Sequence, residues 1–166
     1  MSENKTLDIL KGAILLEHRG KSLYDSVFQS TQSSVVKELF KFLAEEEEKH
    51  INLLEKQYKK VIQNKGFDLD DSVLSDFHTS EMVLSDKIIK EVSGAGYEAA
   101  VIAAALGFEK NAVAYYSDHS AGAETPGEKK LYVWLAEWEK THMNLLAELD
   151  KELKEQIWYD NSFWPM

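Results

Sequence analysis

The sequence contains itself twice, at an interval of 92 residues. Adding 92 to Glu17, Tyr24, Glu47 and His50 reaches Glu109, Tyr116, Glu139 and His142 with no slippage. The best-kept stretch is LFKFLAEEEEKHINLL (39–54), which overlies LYVWLAEWEKTHMNLL (131–146); Leu39, Leu43, Ala44, Glu45, Glu47, His50, Asn52, Leu53 and Leu54 recur unchanged. What both halves keep is a lone Glu, a Glu-x-x-His and a Tyr. A fold for this chain must therefore be built from two alike halves that bring these residues to equivalent places.

Each half reads as a pair of helices. Leu7, Leu10, Ile14, Glu17, Lys21 and Tyr24 recur at spacings of three and four, so a single helix face carries the apolar residues together with Glu17. The pattern predicts helix A at about 4–29 and helix B at about 34–63, the latter closing at Asn64-Lys65-Gly66 with Gly66 as the left-handed residue. A connection follows, about 64–96, whose second part (about 79–92) reads as a short amphipathic helix. Helix C is expected at about 97–119 and helix D from Pro126 to about 156, ahead of an aromatic tail, 157–166. Thr125-Pro126-Gly127-Glu128 reads as N-cap, proline at the first helical position and a capping-box glutamate. Ser33 stands at the matching start of helix B, 92 residues earlier.

Position along the hairpins is testable from numbering alone. Residues level with each other in an antiparallel helix pair are equidistant from the turn. Glu17 and His50 are centred on 33.5 and Glu109 and His142 on 125.5, each inside an expected turn. Two such hairpins face to face place all six side chains at one depth of an all-α, internally duplicated four-helix bundle. The 166 residues suffice for a single domain with its own core.

Composition narrows the chemistry. Without cysteine there is no disulfide, no thiolate nucleophile and no thiolate-bound zinc or iron. A net charge of −10 disfavours nucleic acid, because no basic stripe faces a phosphate backbone. The most apolar run, AAVIAAALGF (99–108), is about half the length of a membrane span, and MSENKTLDIL lacks the apolar core of a signal peptide. These features predict a cytoplasmic protein with neither membrane nor nucleic acid as partner.

The remaining chemistry is metal binding. Residues three apart share a helix face, so Glu47 with His50, and Glu139 with His142, can serve one ion or two adjacent ions. Carboxylates bridge cations and a neutral imidazole adds one nitrogen, a mixture suited to iron or manganese, with zinc also possible. Di-iron carboxylate bundles use this inventory: one Glu from each of two helices and Glu-x-x-His from each of the others. The reading assigns two iron ions per chain, Glu47 and Glu139 as bridges, Glu17 and Glu109 as terminal ligands, and one His for each ion. The repeat sets the neighbouring acids aside. Glu46 aligns with Trp138 and Glu48 with Lys140, while Glu45 and Glu137 point about 160° away from the bridging residues. Tyr24 and Tyr116 lie two turns beyond the lone glutamates on the same face, as packed core residues or as phenols bonded to a ligand carboxylate or to bound oxygen species. His18, His78 and His119 have no repeat partner and read as surface residues. Tyr115 and the tryptophans read as core or interface.

The segments AILLEHRGKSLY, LAEEEEKH, LGFEKNAVAYY and LAEWEKTH resemble the rubrerythrin branch of the ferritin-like superfamily over roughly residues 5–155. The resemblance implies a ferritin-like bundle whose ferrous di-iron centre reacts with hydrogen peroxide or dioxygen. It also implies Glu17, Glu47, His50, Glu109, Glu139 and His142 as ligands, Tyr24 and Tyr116 as candidate catalytic residues, and a separate electron donor such as rubredoxin. Many rubrerythrins carry a fused rubredoxin domain and an extra carboxylate one turn from the third helix's ligand. This sequence has no cysteine, and Ala105, Leu106, Ala112 and Val113 occupy the positions around Glu109. The symmetric six-ligand form of the site is therefore expected.

Three functions compete at this stage: an oxidoreductase, a ferroxidase or iron-storage subunit, and a metal-binding bundle without turnover. The 58 residues between His50 and Glu109 exceed what a storage-cage crossover needs, and no methionine neighbours the first Glu-x-x-His as a haem site would want. Trp158, Tyr159, Phe163 and Trp164 concentrate aromatic surface past the last helix, which predicts a homodimer.

Overall fold

Helix ends in this protein are set by local hydrogen bonding. A computed structural model describes residues 2–75 and 96–160. Among them lie five helices and no strand: α1 Ser2–Ser30, α2 Ser34–Ile62, α3 Asp71–Ser75, α4 Tyr97–Ala121 and α5 Pro126–Asp160. The hydroxyl of Ser33 accepts from the Val36 amide at 3.3 Å, and that of Thr125 accepts from the Glu128 amide at 3.2 Å. Two N-caps 92 residues apart thus start α2 and α5 in register. The capping box is displaced by one residue: the Glu128 carboxylate accepts from the Glu124 amide at 3.1 Å, ahead of the cap itself.

The close of α2 differs from expectation. The left-handed residue directly after the helix is Asn64, with φ 56°, rather than Gly66. Lys65 N donates to Lys60 O and Asn64 N to Val61 O, both at 3.0 Å, which is the paired bonding of a Schellman stop. Asparagine tolerates this conformation, and Gly66 (φ 67°) takes a second left-handed turn beyond it.

The start of the long connection is more ordered than a loop reading allows. The buried Gln57 side chain clasps the backbone of Asp68, accepting from its amide at 2.8 Å and donating to its carbonyl at 2.9 Å. Asp70 then caps α3 through the Val73 amide at 2.9 Å, and Leu69 and Val73 enter the core. This short helix was not anticipated. The one expected at about 79–92 lies outside the described residues. So do Phe163 and Trp164, while α5 runs past 156 into the expected tail.

α1 packs along α2 and α4 along α5, and α1 also meets α4. Two apolar clusters fill the bundle. One joins Val27, Val36, Leu39, Phe40, Leu43, Ile102, Leu146 and Leu149 near the α1–α2 turn. The other joins Leu10, Leu53, Leu54, Leu131, Tyr132 and Leu135 near the α4–α5 turn. Between them lies a layer of polar side chains. No helix among the described residues is long and apolar enough to cross a membrane.

Candidate metal centre

Six ionisable side chains share that middle layer, each at most 2% exposed: Glu17, Glu47, His50, Glu109, Glu139 and His142. One helix contributes each lone glutamate (α1, α4) and one each Glu-x-x-His pair (α2, α5), as the numbering across the turns requires. Burying four carboxylates in an apolar bundle is costly unless cations or protons offset them.

Their atoms form two overlapping sets. Glu17, Glu47, His50 and Glu139 offer ligand atoms within 4.8 Å of one another, and Glu47, Glu109, Glu139 and His142 do the same. Glu47 and Glu139 belong to both. The two imidazoles lie 5.9 Å apart between ring centroids, with planes inclined by 21°. Each turns Nδ1 toward the carboxylates: His50 Nδ1 stands 2.9 Å from Glu139 Oε1 and 3.1 Å from Glu17 Oε2. His142 Nδ1 stands 3.4 Å from Glu139 Oε2 and 3.5 Å from Glu109 Oε1.

The site is under-satisfied by protein alone. Both oxygens of Glu47 and of Glu139, Glu109 Oε2, His50 Nε2 and both nitrogens of His142 are buried without a well-formed hydrogen bond. Orphaned buried donor atoms converging from three helices (α2, α4 and α5) are what bound cations would satisfy, and the mixed oxygen and nitrogen set suits iron or manganese.

The metal-free electrostatics show the same need. Burial pushes Glu47 well above the usual carboxylate range, and the charges of Glu139 and Glu17 push it further. Glu109 is raised to about 8 by burial and by Glu139, against the opposing pull of His142. Burial opposes charging of His50, yet Glu139 and Glu17 raise it to about 10; His142 is raised well above its ordinary value by Glu109 and Glu139 despite burial. Glu139 is held well below the usual range, since His50 and His142 outweigh its burial. Protons on the imidazoles thus stand where metal charge would otherwise lie.

The phenols cross between hairpins. Tyr24 of α1 donates to Glu109 Oε1 of α4, and Tyr116 of α4 donates to Glu17 Oε1 of α1. Both tyrosines are fully buried, and burial with nearby carboxylates raises their pKa values well above 10, keeping the protons on.

Glu46 is the residue that sequence reasoning missed. It is 1% exposed, not a surface acid: its carboxylate accepts from Trp138 Nε1 at 3.0 Å and Lys49 Nζ at 2.7 Å, and lies 3.8 Å from His142 Nε2. Burial raises its pKa, but His142 and Lys49 outweigh that and leave it lowered. The signal was present in the repeat, since an aromatic partner such as Trp138 marks an inward position. Glu45 and Glu137 are exposed, as is His18. His119 is not a plain surface residue; it packs on Tyr115 at 4.4 Å between ring centroids and meets Tyr132 at 6.0 Å. Tyr115 donates to the Ile9 carbonyl at 2.8 Å, while His78 lies outside the described residues.

Compared with known proteins, the chain matches the family model described as Rubrerythrin over residues 8–150. No curated protein and no solved structure gives a match.

Proposed function

The chain belongs to the rubrerythrin family, and on that premise we propose that it is a non-haem di-iron oxidoreductase reducing hydrogen peroxide or dioxygen with electrons from a separate protein. The observation that carries the reading is the pair of overlapping buried ligand sets sharing Glu47 and Glu139. In this reading Glu47 and Glu139 would serve both ions, Glu17 and His50 would complete one set, and Glu109 and His142 the other.

When bound, two ferrous ions supply the two electrons and the Lewis acidity that cleavage of an O–O bond requires. The protein's residues do the rest. Tyr24 and Tyr116 hold the terminal carboxylates in place from the opposite hairpin, and each keeps a proton at its phenol oxygen beside the site. Peroxide takes up two electrons and two protons and leaves as two waters, so a nearby proton source is a requirement that these phenols could meet. The apolar clusters above and below keep bulk water from the layer. In this reading the electrons come from outside these 166 residues, which hold no cysteine for a thiolate iron centre; a rubredoxin is the donor proposed.

The test is anaerobic ferrous loading followed by stopped-flow mixing with peroxide and, separately, dioxygen. About one equivalent of peroxide per di-iron site should be consumed before the reaction stops. Rubredoxin with its reductase should restart it, and NADH alone should not. A ferrous form that ignores peroxide, oxidises in air and accumulates ferric iron beyond two per chain would replace this reading with iron storage.

A further inference from the structure

Positions 46 and 138 are equivalents in the repeat, and they are the place where the two halves of the site cease to match. Glu46 lies behind His142 on the side away from the carboxylates, its Oε2 3.8 Å from Nε2. That is ion-pair reach, longer than a hydrogen bond. Trp138 lies against His50 instead, with ring centroids 4.7 Å apart and planes at 86°. All three carboxylate contacts of His50 run through Nδ1; its Nε2, buried like His142 Nε2 without a hydrogen bond among the described residues, faces no acid equivalent to Glu46. An indole offers a donor and no acceptor. Trp138 instead spends its N–H on Glu46, at 3.0 Å, so the two equivalents lock to each other across the bundle.

This difference matters once Nδ1 is engaged. A neutral imidazole giving the Nδ1 lone pair to a cation must carry its proton on Nε2, and that N–H needs an acceptor. His142 has one held ready by Trp138 and Lys49; His50 has an aromatic ring in the corresponding place. Partners of this outer kind fix the tautomer and raise the basicity of the ligand, and their loss typically weakens metal binding about 10–100-fold.

We propose that Glu46 is a positioning residue for His142, and that the Glu46–Trp138 pair makes the two metal positions unequal, with the His142/Glu109 position the tighter. The proposal rests on the di-metal reading above.

The test is anaerobic titration of the metal-free protein with Co(II), followed by calorimetry and by visible absorption, in wild type, Glu46→Gln and Trp138→Phe. Wild type should bind two ions in steps at least about tenfold apart in affinity. Glu46→Gln should weaken the tighter step about 10–100-fold and leave the weaker step in place, so that the two converge. Trp138→Phe keeps a ring against His50 and removes the clamp on Glu46, so it should weaken the same step by less. In the Co(II)-loaded protein, paramagnetically shifted imidazole N–H signals should show one slowly and one rapidly exchanging proton, the slow one becoming fast in Glu46→Gln. Two equal steps in wild type, or equal weakening of both steps by Glu46→Gln with unchanged N–H exchange, would overturn the proposal while leaving the di-metal reading intact. Failure of wild type to bind two ions would overturn that reading instead.

Discussion

Tyr24 and Glu109 illustrate how single residues in this layer depend on partners from another hairpin. The phenol donates to a carboxylate whose other oxygen has no hydrogen bond, so removing the donor leaves a buried group with only the longer contact to His142 at 3.5 Å. Tyr24→Phe should therefore destabilise the metal-free protein by about 1–3 kcal/mol, and Tyr116→Phe by less, because Glu17 Oε2 still lies 3.1 Å from His50 Nδ1. Urea unfolding at neutral pH checks this, and unchanged stability in both variants would show that the crossed bonds contribute nothing. These residues could be singled out in the sequence because two copies in one register are hard to obtain by chance. The crossing itself could not: periodicity places Tyr24 on the face of Glu17 and says nothing of which hairpin's carboxylate it meets. Glu46 is set aside as a ligand because it aligns with Trp138, and that alignment is silent on its burial and on the bond between the two side chains.

Helix boundaries were legible where side chains cap them. Ser33 and Thr125 fix the starts of α2 and α5, and through them the level of every site residue relative to the turns. Thr125→Ala should cost about 1 kcal/mol in thermal or urea unfolding, since it strands the Glu128 amide; an effect near zero would mean that Pro126 alone sets the helix start. The end of α2 was less legible, because both Asn64 and Gly66 can adopt positive φ and only the landing point of the last helical bonds decides between them. Close packing between elements was not legible at all. A Cβ on Gly20 of α1 would come within 2.6 Å of the Phe108 ring of α4 and 3.5 Å from the Glu47 carboxyl carbon. Gly20→Ala should accordingly destabilise by about 1–3 kcal/mol through overpacking, despite alanine's better helix propensity. A stabilised variant would show that Phe108 yields freely.

At the scale of the whole molecule, the buried layer links stability to pH. Glu109 rises from 4.5 to about 8, so its favourable contribution is full below 4.5 and is lost as pH climbs through 8. His50 rises from 6.5 to about 10, so its contribution is full below 6.5 and is lost toward pH 10. Glu139 is lowered, so its contribution is present above 4.5 and disappears only in stronger acid. The metal-free protein should thus melt highest near pH 5 and progressively lower up to pH 10; a flat profile between pH 5 and 8 would contradict this. Bound metal should reverse the trend, because ions would compete with those same protons and bind more tightly as pH rises. The duplicated bundle was readable in outline from a 92-residue interval, but the connection was not, since the Gln57 side chain meets the Asp68 backbone in a pairing that leaves no periodic mark. The most direct measurement is elemental analysis of the purified chain after anaerobic ferrous loading and removal of free metal. Two ions per chain are expected in the wild type, and none tightly held in the Glu47→Ala, Glu139→Ala double variant, from which both shared ligands are gone. Two ions retained by that folded double variant, or none held by the wild type, would contradict the account.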